Sequence, residues 1–94
     1  MAIMIVCSVR DVVASTFGRP FYAPNTASAR RSLSIQINQR DADPNDVLVS
    51  HPGDFELYEL GSFDDQSAQF ELYPQPQLVV RCGDLVDQVV PSAG

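Results

Sequence analysis

The stretch HPGDFELYELGSFDDQS, residues 51–67, decides how the rest of the chain is read. Phe55 and Leu57 alternate with Glu56 before Gly61-Ser62-Phe63-Asp64-Asp65-Gln66-Ser67, and Phe70 and Leu72 alternate with Glu71 after it. Period-two alternation on both sides of a polar, turn-rich centre is the pattern of two half-buried strands joined by a hairpin, here about residues 54–73 with its tip at Asp64–Ser67. Tyr58 and Leu60 take the opposite phase to Phe55 and Leu57, which predicts a bulge near Leu57. Gly61 falls where a bend or a close backbone approach excludes a side chain.

Working outward, Ile3, Ile5, Val6 and Val9 lie in a short apolar run, which predicts a central N-terminal strand covered on both faces. Gly18, Pro20 and Pro24 then punctuate a segment with Phe17, Phe21 and Tyr22, expected to be irregular or an edge strand that packs its aromatic residues. Pro24 disfavours helical angles at Ala23, and Asn25 or Thr26 can cap a helix of about residues 25–39. Ala29, Leu33 and Ile37 form its buried stripe. Arg31, Ser34 and Asn38 are placed on the opposite side, with Arg30 at the flank. Residues 40–54 are polar and turn-rich and are expected to cross the surface as a mobile segment. A Pro-Gln spacer precedes Leu78-Val79-Val80, Leu85-Val86 and Val89-Val90, read as a strand and a helical turn that dock on this domain or on another copy.

The fold class is therefore α+β: one small domain over residues 1–90 with a central N-terminal strand, one helix and a C-terminal β-hairpin. Residues 91–94 are expected to fray. At 94 residues a second core does not fit. No window approaches the ~20 apolar residues of a membrane span, and the apolar start lacks a basic leader and a cleavage site, so the expected location is cytosolic. Cys7 and Cys82 are expected to remain thiols.

Catalytic readings find no support in the residues. A phosphate-binding glycine loop, a zinc-protease His pair and a hydrolase serine elbow are all missing, and His51 is the single histidine. Asp64-Asp65 is read as turn chemistry and not as a metal site. No enzyme, cofactor or metal is expected.

The charges are unevenly distributed. Up to residue 40, Arg10, Arg19, Arg30, Arg31 and Arg40 face only Asp11, a net of +4; beyond it Arg81 stands against eleven acids, a net of −10. Single-strand binders combine cations along the backbone with aromatic rings that stack on bases. The candidates for DNA contact are Arg10, Arg19, Arg30 and Arg31 for phosphates, with Phe17 and Tyr22 for bases. The same rings could equally be core. The alternative function is a non-enzymatic interaction module that oligomerises, or docks a phage or host protein, through its opposed charges.

Ser8-Val9-Arg10-Asp11 with Ala14, then Phe17-Gly18-Arg19-Pro20-Phe21, then Asn25 with Ala29 and Arg30, followed by the residue 51–67 motif, resembles the small nonstructural protein of gokushovirus-like Microviridae. The resemblance covers roughly residues 5 to 70. It implies an accessory protein of a single-stranded DNA phage, acting in the cytoplasm of the infected bacterial host. It further implies DNA binding when genome replication turns to the synthesis or packaging of single strands; the expected ligand is single-stranded DNA, bound by a homo-oligomer.

Overall fold

In the computed structural model, which describes residues 3–39, 41 and 43–86, the chain forms an antiparallel sheet backed by one long helix. The strands are β1 (Ile3–Asp11), β2 (Thr16–Phe17), β3 (Phe21–Ala23), β4 (Phe55–Asp64) and β5 (Gln69–Arg81). The helices are α1 (Thr26–Ile37) and the short α2 (Val47–Ser50), with 3-10 turns at Pro52–Asp54 and Cys82–Leu85. β1 is central, as its apolar run predicts. β4 pairs along one edge, β2 and β3 share the other, and β5 lies outside β4. Val6, Cys7 and Ser8 are all buried, so β1 is covered on both faces at its middle.

Asn25 caps α1 as expected: it is extended, and its side chain accepts the Ser28 N–H at 2.8 Å. Ala29, Leu33 and Ile37 pack from α1 onto Cys7, Ala23 and Leu57, with Cys82 and Leu85 closing the core. Ser34 and Asn38 are not on an open, solvent-facing side: Asn38 is half-buried. Ser34 is buried, and the Asn38 amide donates to the carbonyls of Ser34 and Leu85 at 2.8 and 2.9 Å, tying the end of α1 to the C-terminal 3-10 turn. That turn packs beside the Leu33–Ile37 stripe and so widens the buried sector of the helix. The segment read as a surface crossing contains α2, with Asp46 accepting the Leu48 N–H at 3.1 Å.

The hairpin tip is residues 65–68: Asp64 accepts the Gln66 N–H with its carboxylate and the Ala68 N–H with its carbonyl, both turn contacts. The second strand reaches Arg81, beyond the expected end near residue 73. Opposite Leu60, residues 73–76 loop out of the ladder, since Glu59 pairs with Gln77 and Gly61 with Leu72. Pro74 and Pro76 have no N–H to donate, so the chain stays extended there but leaves the register and resumes pairing afterwards. The irregularity at Leu57 is present as a register shift, but the extra residue is Val79 on β5; the extra residue of β4 is Leu60, unpaired against Val6–Cys7. The strand followed by a helical turn over 78–85 is as expected. Arg40, the Val89-Val90 part of that reading and the expected fraying of residues 91–94 lie outside the described residues.

Candidate nucleic-acid interface

Directly paired residues of a sheet share a face, and successive residues alternate between faces. The ladder therefore sorts the strands into two sets of transverse rows. Rows such as Val9–Leu57–Val80 and Phe21–Cys7–Glu59 face α1. The other face carries Phe17–Arg10–Glu56–Arg81, then Ser8–Tyr58–Leu78, then Tyr22–Val6–Gly61–Leu72, then Met4–Phe63–Phe70. Among the described residues no helix covers this second face, and Phe17, Tyr22, Phe70, Leu72 and Leu78 on it are exposed.

Its rings form two groups. Phe17 and Tyr58 meet edge to face with centroids 5.3 Å apart, and the Arg10 guanidinium lies 5.7 Å from the Phe17 centroid. Tyr22, Phe63 and Phe70 form a chain, with centroids 5.5 and 4.7 Å apart. These geometries are the favourable offset and tilted ones, so each ring is held by its neighbour. Between the groups, Val6 and Gly61 are both buried. The glycine is required: a Cβ on Gly61 would fall 2.7 Å from the Leu72 Cα and would press on the Glu71 carbonyl. The Ser8 hydroxyl donates to the Gly18 carbonyl at 2.8 Å, fixing the link from β2 to β3 over β1.

Glu56 is the electrostatic centre of the first row. One carboxylate oxygen accepts the Tyr58 hydroxyl at 2.9 Å, and the other lies 3.7 Å from Arg81 Nε. The hydrogen bond to Glu56, followed by burial, holds the Tyr58 phenol above its ordinary value, with Arg10 pulling the other way. On the helix side, burial first and then Glu59 push the Cys7 thiol up to about 11. Burial and then Glu56 do the same for Cys82. Both are free, fully buried thiols. Among the described residues no group of three or more His, Cys, Asp or Glu is arranged to hold a metal ion.

Of the residues proposed from sequence, Arg10, Phe17 and Tyr22 share the open face, and Arg19 lies in the link between β2 and β3 at its edge. Arg30 and Arg31 do not join them. Both are exposed on α1, on the far side of the core. Tyr58, Phe63, Phe70 and Arg81 complete the face; the three rings were read only as parts of a hairpin, and Arg81 only as the one cation of the acidic half. The signal for them was the second phase of the same alternation, Glu56–Tyr58 on one strand and Phe63 opposite Phe70 across the tip.

Fold and face together define a small helix-backed antiparallel sheet whose second face is an open aromatic surface flanked by arginines. The chain belongs to the Phage ORF5 protein family, whose model matches residues 4–85. Neither the curated proteins nor the solved structures gave a match. A phage protein acts in the infected host cell. Among the described residues, no helix is long and apolar enough to cross a membrane.

Proposed function

We propose that this protein binds single-stranded DNA on the open face of its sheet, by stacking bases on the two ring groups, and that it has no catalytic role. The observation that carries the reading is the set of five aromatic rings, Phe17, Tyr22, Tyr58, Phe63 and Phe70, that share with Arg10 and Arg81 the sheet face that no helix covers among the described residues. Stacking tolerates any base and contributes roughly 1–3 kcal/mol per base. Arg10 and Arg19 contact phosphates beside Phe17. Arg30 and Arg31 face away and touch no strand bound there. The resemblance to the gokushovirus-like Microviridae protein supports a nonstructural accessory role in the cytoplasm of the infected bacterium, during single-stranded genome synthesis or packaging.

The test is fluorescence anisotropy of a labelled single-stranded oligonucleotide across a salt series. Tyr22→Ala and Phe70→Ala should each weaken binding roughly 5- to 100-fold, and Arg30→Ala with Arg31→Ala should have little effect. With so few cations on the face, the slope of log K against log salt should be shallower than about −2, at about −0.7 per phosphate. Absence of binding at low salt, or affinity unchanged by Tyr22→Ala, rejects the reading. The exposed apolar residues Leu72 and Leu78 favour a second one, in which the face docks a second copy or another protein. It predicts concentration-dependent association without DNA, lost in Leu72→Ser.

A further inference from the structure

A carboxylate between two arginines on a face proposed for a polyanion needs a reason. Glu56 stands directly between Arg10 on β1 and Arg81 on β5, so the row Phe17–Arg10–Glu56–Arg81 places one negative charge between two positive ones across four strands. It is not a loose surface acid: its side chain is 18% exposed against 71% for Arg81, and both oxygens are engaged, by the Tyr58 hydroxyl and by Arg81. Specificity often comes from a repulsive element placed against the wrong ligand.

We propose that Glu56 sets a preference for single-stranded over duplex DNA, an inference that rests on the single-strand reading above. A duplex hides the faces of its bases and offers this surface mainly phosphates, so its binding depends on free cations. Glu56 withholds Arg81 and presents its own charge where a phosphate would approach. A single strand lays its bases on Phe17 and Tyr58 and gains most of its affinity from stacking, which the carboxylate leaves intact. Its hydrogen bond also fixes the Tyr58 ring for that contact.

The experiment measures anisotropy of two probes, an oligothymidine and a hairpin duplex, with the wild type and Glu56→Gln. The amide oxygen still accepts from Tyr58, so only the charge is removed. Duplex affinity should rise roughly tenfold, and its salt slope should steepen by about 0.9, one added phosphate. Single-strand affinity should change less than about threefold. Adding Arg81→Ala to Glu56→Gln should erase the gain. Glu56→Thr, uncharged and favourable in a strand, should reproduce it if the amide variant fails to fold. Equal gains on both probes, or none on the duplex, overturn the inference while leaving single-strand binding in place. A wild type that binds no oligothymidine, beside a Glu56→Gln that gains duplex affinity, rejects the single-strand reading but keeps the role of Glu56 against phosphates. If neither protein binds either probe, both fall.

Discussion

Gly61→Ala puts the close approach of β4 and β5 to the test. Gly61 pairs with Val6 on one side and Leu72 on the other, beside the unpaired Leu60 and the looped-out residues 73–76. An added Cβ would lie 2.7 Å from the Leu72 Cα and 3.0 Å from the Glu71 carbonyl carbon, with the Glu71 oxygen closer still. All of these are backbone atoms, so no side-chain rotation relieves the contact and β5 must move away from β4. Overpacking of this kind costs about 1–3 kcal/mol, and the upper end applies where only backbone can yield. A cost of about 3 kcal/mol, within a total of roughly 5–15 kcal/mol, leaves a folded protein. It should lower Tm by roughly 12–24 °C in a domain of this size.

The assay is thermal and urea unfolding followed by far-UV circular dichroism, with Gly53→Ala as control, because nothing lies within 4 Å of a Cβ there. Displacing β5 also moves Phe70 off Phe63, so single-strand affinity should fall with stability. A Gly61→Ala protein within about 0.5 kcal/mol of wild type, the range of an ordinary surface change, would refute the close approach as a constraint.

Two further outcomes follow from local contacts. Asn25→Ala removes the acceptor of the Ser28 N–H and should cost about 1 kcal/mol in urea unfolding, whereas Asn25→Asp should keep the cap. Cys7 and Cys82 should resist alkylation at pH 8 in the native protein and react on unfolding. Their native values of about 11 lie above the ordinary 9.0, so the contribution of the neutral thiols is full below pH 9 and is lost as pH rises through about 11. The melting temperature should fall across that interval and recover on return to neutral pH.

The elements were legible where local chemistry fixes them: the Asn25 cap, the Ala29–Leu33–Ile37 stripe, the central β1 and the Asp64 turn all rest on spacings within a few residues. What was not legible depends on partners distant in sequence. Ser34 and Asn38 look solvent-facing on a helical wheel, and only the arrival of Leu85, 47 residues from Asn38, covers them. The end of β5 was hidden because Pro74 and Pro76 read as a spacer, whereas the sheet absorbs them as a bulge. The candidate site was half legible. Phe17 and Tyr22 stand out by composition, but their alignment with Tyr58, Phe63 and Phe70 comes from ladder register. The same register separates Arg10 from Arg30 and Arg31.

Register also bears on the difficulty that a net charge of −6 poses for the proposed DNA binding. Along the chain the acids crowd the second half, yet in the sheet they divide by face. Asp11 pairs with Phe55 and Thr16, Glu59 with Cys7, Asp64 with Ile3 and Glu71 with Ser62, all in rows of the helix-side phase. Among strand acids Glu56 alone shares the aromatic face, and it is held between Tyr58 and Arg81. Among the strand residues the aromatic face therefore carries two arginines against one engaged carboxylate, while the other four strand acids lie on the opposite face. At physiological salt, exposed charges more than about 8 Å apart are largely screened, so acids on the opposite face repel a strand on this one only weakly. Affinity on such a face comes from stacking more than from phosphate neutralisation, which makes an acidic protein compatible with a single-stranded ligand.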